Sequence, residues 1–255
     1  MREARLRLLA KMVKDQGSVD IQTLQKELGV SYPTLRRDLA LLASRNVIQR
    51  VRGGAVAPEG LHAGLDWFYS DQFHPNHHLK ARIGRVAAQL AQPRQKVLIE
   101  DSSGTMLEVA RGLLRTLAIT VYTNSLEIAY LLQAYGRCAA VHLTGGQLIS
   151  DRYLAGSVAV ANIKKMRVDI AFVGSHGFCV SAGITDGDPA AVQVKRAMIH
   201  AAARAVLVAD HTKIGKVEQI VVEPLTAVHT IVTSAEADRA DIQAIEALGV
   251  QVITC

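Results

Sequence analysis

From Leu79 to Cys255, short aliphatic runs alternate with helical stretches, and this alternation constrains the fold more than any other feature. The runs are Val97-Leu98-Ile99, Ile119-Thr120-Val121-Tyr122, Val141-His142-Leu143, Ile170-Ala171-Phe172-Val173, Ala205-Val206-Leu207-Val208, Thr230-Ile231-Val232 and Val250-Gln251-Val252-Ile253. Helical stretches are predicted between them, near 80–91, 105–115, 125–134, 157–166, 189–203 and 236–248. Such alternation argues for an α/β domain with a mostly parallel sheet and right-handed crossovers. The chain is 49% hydrophobic but only 4% aromatic, so its core must be aliphatic, as suits strands covered on both faces.

The N-terminal end reads differently. Residues 1–57 hold eleven of the 29 Lys and Arg and five of the 23 Asp and Glu, an excess of six that equals the whole chain's +6. The remaining residues balance at eighteen of each sign. A localised basic excess is the footprint of a phosphate-backbone binder. Leu6, Leu9, Met12 and Val13 predict a helix ending at Gly17. Ile21–Leu28 predicts a second helix, stopped by Gly29 in a left-handed conformation. Ser31 is a good N-cap for a third helix, with Pro33 tolerated in its first turn and Leu35, Leu39 and Leu42 as its buried stripe. Val47 to Arg52, closed by Gly53-Gly54, reads as a hairpin or wing.

In a helix-turn-helix, the first residues of the second helix reach base edges in the major groove. Ser31, Tyr32 and Thr34 occupy that position, and Arg36 and Arg37 follow about 100° apart on the helix. Arginine suits bases and phosphates alike through its planar fork. Arg50, Arg52 and Gly53 add the wing. These eight residues are the candidate DNA contacts, and the expected partner is double-stranded operator DNA.

Gly29-Val30-Ser31-Tyr32-Pro33-Thr34-Leu35-Arg36-Arg37-Asp38-Leu39, followed by Arg50-Val51-Arg52-Gly53-Gly54-Ala55, resembles the N-terminal signature of the DeoR family of bacterial repressors of sugar metabolism. The resemblance runs through most of the chain. It implies a winged helix-turn-helix joined to a sensor domain similar to pentose-phosphate isomerases. By that resemblance the effector is a phosphorylated sugar or a related metabolite. The expected organisation is a DNA-binding domain at 1–57, a connector at 58–78 and a Rossmann-like sensor domain at 79–255. Trp67, Phe68, Tyr69 and Phe73 in the connector predict that it packs on something.

Candidate ligand residues lie in loops that follow the aliphatic runs, where open α/β sheets bind ligands. Asp101-Ser102-Ser103-Gly104-Thr105 opens a helix, and hydroxyls with backbone N–H groups there make an anion site. It resembles the family's Asp-x-Gly-Thr-Thr, with an extra residue between Asp101 and Gly104 and with Met106 where a second Thr is usual. Thr123-Asn124-Ser125 offers a helix cap and an amide for ligand hydroxyls. Gly145-Gly146 permits close backbone approach. Asp210-His211-Thr212-Lys213-Ile214-Gly215 resembles the family's Asp-x-Ser-Lys-Phe-Gly, with Lys213 facing a phosphate and Asp210 orienting it or bonding a hydroxyl. Gly174-Ser175-His176-Gly177 and Gly183-Ile184-Thr185-Asp186 are weaker candidates for the same rim. Relatives often carry Glu near Ala191.

Cys138, Cys179 and Cys255 are far apart and form neither a disulfide framework nor a zinc pattern. No signal peptide or membrane span is expected, so the expected location is the cytoplasm. His74, His77 and His78 lack the convergent partners that a metal needs, and neither metal nor cofactor is expected. An enzyme, a sugar-phosphate isomerase with a DNA-binding appendage, is the alternative reading. It needs a placed base, and Glu100 and Asp101 are the only acids beside the phosphate-like loop. Homo-oligomerisation, as dimer or tetramer, is expected because one winged domain buries little DNA surface.

Overall fold

The computed structural model describes residues 2–16, 18–44, 47–51, 53–56, 76–100, 103–149 and 153–255. The chain divides into two compact units, Met1–His77 and His78–Cys255. The connector aromatics Trp67, Phe68, Tyr69 and Phe73 lie outside the described residues.

In the first unit, α1 (Arg2–Gln16), α2 (Ile21–Leu28) and α3 (Tyr32–Ser44) surround an aliphatic core. Leu6, Leu9, Leu24, Leu35, Leu39 and Leu42 are all buried in it. Asp20 caps α2 by accepting from the Thr23 N–H at 2.9 Å. Gly29 stops α2 at φ +61°, its N–H returning to the Gln25 carbonyl. The wing is a three-stranded antiparallel sheet in the order β1 (Ser18–Asp20), β3 (Gly54–Val56), β2 (Gln49–Val51). The sequence reading anticipates the β2–β3 hairpin but not β1. The Ile21 N–H donates to the Gly53 carbonyl at 2.9 Å, tying the hairpin turn to the start of α2.

In the second unit, the seven aliphatic runs form the seven strands of one sheet. These are β4 (Lys96–Ile99), β5 (Thr120–Thr123), β6 (Ala140–Leu143), β9 (Val168–Val173), β12 (Ala202–Val208), β14 (Thr230–Thr233) and β15 (Gln251–Thr254). Every pairing is parallel, and the order is β15-β14-β12-β9-β4-β5-β6. The chain therefore runs outward from β4 to β6, returns to the other side of β4 at β9, and runs outward again. Strand order reverses between β4 and β9, the switch point at which such sheets form a crevice beyond their carboxyl ends.

The helices are α4 (His77–Ala88), α5 (Gly104–Leu113), α6 (Leu126–Tyr135), α7 (Ser157–Lys164), α8 (Pro189–Ala201) and α9 (Arg239–Glu246). Leu98, Ala171, Val173, Ala205 and Leu207 share one core cluster with α7 and α8. The alternate residues Val97, Ile99, Ile170, Phe172 and Val206 are buried too but lie outside that cluster, so both faces of the sheet are covered. Two small additions were not anticipated. The hairpin of β7 (Gln147–Ile149) and β8 (Tyr153–Ala155) follows β6, and an antiparallel sheet joins β10 (Gly177–Cys179), β11 (Gly183–Asp186) and β13 (Ile220–Glu223). Among the described residues, no helix is long and apolar enough to cross a membrane.

Candidate DNA interface and ligand site

Helix α3 divides its faces sharply. Leu35, Asp38, Leu39 and Leu42 point inward, while Arg36, Arg37 and Ala40 are exposed. Tyr32, Arg36 and Ala40 follow one another at four-residue spacing, as do Pro33 and Arg37, so they make one continuous outer surface. With Arg50 of β2 they line a groove of about 430 Å³. The Ser31 carbonyl accepts from the N–H groups of Thr34 and Leu35, each at 3.0 Å, and starts the helix. The Ser31 and Thr34 hydroxyls bond each other at 3.0 Å. Gly53 turns the hairpin at φ +93°. Arg52 lies outside the described residues.

In the second unit, the loop after β4 is described only from Ser103, since Asp101 and Ser102 lie outside the described residues. Ser103 caps α5 by accepting from the Met106 N–H, and Gly104 and Thr105 form its first turn. The Thr123 hydroxyl accepts from the Ser125 N–H at 3.1 Å, and the Ser125 hydroxyl caps α6 by accepting from the Ile128 N–H at 3.2 Å. Asn124 donates through Nδ2 to the Leu154 carbonyl at 3.1 Å. Its Oδ1 is buried without a hydrogen-bond partner among the described residues. A side chain at Gly146 would meet the Ala155 carbonyl at 2.4 Å and Ala159 at 2.9 Å, so this glycine is accounted for by packing on β8 and α7. Gly145 has φ +72° and lies near Asn162, whose amide donates to the Thr144 carbonyl. Asp210 is buried, and its carboxylate accepts from the N–H and hydroxyl of Thr212, so it is engaged in capping its own turn. Half-buried Lys213 ends that turn. The His211 ring Nδ1 and the buried Ser234 hydroxyl share a hydrogen bond of 2.7 Å.

At the switch point itself lies a chain of charged groups. Glu100 follows β4 and is 2% exposed, and its carboxylate accepts from the Gly174 N–H after β9 at 2.6 Å. Lys195 of α8 sits 3.2 Å from the same carboxylate and also bonds the fully buried Asp186 at the end of β11. His176 bonds the second oxygen of Asp186 through Nδ1 at 2.8 Å. Burial works to raise the Asp186 pKa, but the hydrogen bond from His176 and the charge of Lys195 outweigh it and hold the carboxyl well below its usual range. The His176 pKa is raised, chiefly by its hydrogen bond to Asp186.

Lys195 is the residue that sequence reasoning missed. Its signal was its place in a helical stripe. It occupies the same face as Ala191, Val192, Met198 and Ile199, all buried, where a lysine needs a partner. Of the three connector histidines, only the side chain of His78 is described, and it is exposed. Among the described residues, no group of three His, Cys, Asp or Glu is disposed to hold a metal ion.

Among the described residues, a head of three helices with a basic groove and a β-wing has the form of a helix-turn-helix DNA-binding regulator, and the same chain carries a parallel-sheet domain with a crevice at its switch point. A model of the DeoR-like helix-turn-helix domain matches residues 5–60, and one of the DeoR C-terminal sensor domain matches residues 75–235. The HTH-type transcriptional repressor GlcR of Bacillus subtilis is 30% identical over 252 residues, covering 98% of this chain and 95% of that one. The glycerol-3-phosphate regulon repressor of Escherichia coli is 30% identical over 228 residues, covering 89% and 88%. Among solved structures, ribose 5-phosphate isomerase A of Methanocaldococcus jannaschii overlaps 55% of each chain at 19% identity and a TM-score of 0.39. The chain belongs to the DeoR family of helix-turn-helix transcriptional regulators.

Proposed function

We propose that the chain is a cytoplasmic repressor of carbohydrate-metabolism genes whose grip on its operator is set by a phosphorylated sugar or a related metabolite. The observation that carries the DNA half is the groove in which Tyr32, Arg36 and Arg37 of α3 meet Arg50 of the wing. A recognition helix inserted in the major groove reads bases through such side chains, and the wing arginine steadies it on phosphate. Ser31, Thr34, Arg52 and Gly53 complete the proposed contacts.

The ligand half rests on the strand ends. The Ser103–Thr105 helix start and Lys213 supply anion contacts, and Asn124 brings an unsatisfied buried acceptor suited to a sugar hydroxyl. Asp101, Ser102, Thr123, Ser125, Gly145, Gly146 and Asp210 complete the proposed rim. The relatives named for repression and for glycerol 3-phosphate support this class of effector. Of the two acids that an enzymatic reading would use, Glu100 is bonded to Lys195, and Asp101 lies outside the described residues. The chain works as a homo-oligomer, its heads on half-sites about 34 Å apart or multiples of that. Effector binding shifts the population toward an arrangement whose heads miss that spacing.

The test is operator binding by fluorescence anisotropy with a panel of sugar phosphates. Arg36→Ala/Arg37→Ala is expected to abolish specific binding while thermal unfolding stays unchanged. Normal specific binding by that double variant sinks the DNA reading. Failure of every sugar phosphate to shift melting or operator affinity sinks the effector reading.

A further inference from the structure

Glu100, Lys195, Asp186 and His176 form one chain of ion pairs and hydrogen bonds among four ionisable groups, drawn from the ends of β4, β9 and β11 and from α8. Three are buried: Glu100 at 2%, Lys195 at 4% and Asp186 at 0% exposure. Two carboxylates therefore face one buried lysine, and His176 bonds one of the two.

His176 is not an interior group, since its side chain is 60% exposed. The turn that bears it is welded to β11. The Ser175 hydroxyl donates to the Gly177 carbonyl at 2.6 Å, and the Thr185 hydroxyl donates to the same carbonyl at 2.8 Å. The ring is thus fixed at one edge on Asp186 and open at the other. Nε2 has no hydrogen-bond partner among the described residues. Lys213, ending the turn after β12, lies within electrostatic range of the ring. That turn is bound to β10 beside His176, the Gly215 N–H donating to the Phe178 carbonyl at 2.9 Å.

We propose that His176 is an oxyanion-recognition residue of the ligand site, donating from Nε2 to a phosphate or carboxylate oxygen of the effector beside Lys213. The proposal rests on the reading that these strand ends hold an anionic metabolite. Asp186 acts through the ring, fixing the Nδ1–H and favouring the charged form. Ligand capture is then coupled to proton uptake at His176. The groups that face the ring pull in both directions. Asp186 favours the imidazolium, Lys195 and Lys213 oppose it, and Asp188, whose N–H donates to Asp186 at 3.0 Å, stands next along the chain. A bound oxyanion tips this balance toward the charged ring. Affinity for a ligand of constant charge therefore falls as pH rises through the His176 pKa.

A phosphate monoester itself titrates near pH 6, so the test needs an anion whose charge is fixed. The probes are sulfate, with acetate as the carboxylate arm, added to the full chain at matched ionic strength in chloride. The reading is the pH titration of the His176 ring by NMR, assigned by its absence in His176→Gln. Sulfate or acetate is expected to raise the His176 pKa by half a unit or more, and the more effective anion names the oxyanion. Lys213→Ala is expected to blunt that rise. No rise with either anion overturns the proposal. The underlying reading is separated by the sugar-phosphate panel. A ligand that binds wild type and His176→Gln equally from pH 6 to 8 overturns the role of His176 and leaves the ligand site standing. A panel with no binder removes the site and this proposal together.

Discussion

The carboxylate of Asp38 on α3 accepts a hydrogen bond from Arg5 Nε on α1 at 2.7 Å, with Asp38 only 1% exposed. The inward face of the recognition helix is therefore anchored by an ion pair as well as by leucines. Breaking a buried pair at one end costs about 3–5 kcal/mol, and the partial exposure of Arg5 places Arg5→Leu below that range. Asp38→Ala is expected to lower the denaturation midpoint of the head and to weaken operator binding along with it. Unchanged unfolding of Asp38→Ala overturns the anchoring role.

Arg50 is expected to touch phosphate. Arg50→Ala should weaken binding evenly across operator sequences and reduce the salt slope of log K by about 0.9, the value of one lost contact on duplex DNA. Arg36→Ala, by contrast, should relax the base preference at one operator position by about 1–3 kcal/mol. Binding isotherms over a salt series, on cognate and mismatched duplexes, separate the two behaviours.

Lys195 stands between two buried carboxylates. Lys195→Met fills the space but leaves Glu100 and Asp186 without their shared cation. It is expected to destabilise the second unit by about 3–5 kcal/mol near neutral pH. Denaturant unfolding checks this, and the deficit should narrow in acid, where carboxylates protonate.

The pH dependence of stability has two sides. The His176 pKa is raised by Asp186 above its ordinary 6.5, so its contribution is complete below 6.5 and is lost as pH rises through the folded value. The Asp186 pKa is lowered below its ordinary 3.8, so its contribution is present above 3.8 and is lost as pH falls through the folded value. Both are in place between about pH 4 and 6.5, where these two groups leave stability flat. Thermal melts of His176→Gln should lose the decline on the alkaline side and keep the acid one.

Two glycines test the packing. A Cβ at Gly54 would sit 2.3 Å from the Val19 carbonyl, inside the wing. One at Gly84 would meet Glu108 at 2.5 Å, where α4 crosses α5. Each Gly→Ala change should destabilise its own unit by about 1–3 kcal/mol, the usual cost of overpacking. Differential scanning calorimetry would show which transition moves.

The inner strands β4, β9, β12 and β14 were legible as mostly buried apolar runs, whereas the edge strands β6 and β15, half-buried to exposed, were legible from their place in the strand–helix alternation. The same reasoning explains the omissions. Strand β1 is three residues long and carries Asp20, a helix cap, so its sequence reads as a turn. Strands β7, β8, β10, β11 and β13 are three or four residues each, too short to show a period, and β13 is defined by pairing with the distant β11. The exposed arginines of α3 were legible from spacing alone. The charged chain at the switch point was not, because Glu100, His176, Asp186 and Lys195 meet only once the sheet reverses its order. Gly146 and Asp210, read for a ligand, also serve local packing and capping, which the sequence did not show.

The return of the chain from β6 to β9 has a consequence for synthesis on the ribosome. Ile99 pairs with Phe172, seventy-three positions later, so the central strand lacks one neighbour until most of the domain has emerged. The head closes on contacts among residues 2–56. It is expected to be native while β4 still waits, since local contacts form before long loops close. A nascent chain stalled before residue 168 would then carry a folded DNA-binding head without a finished sensor to restrain it.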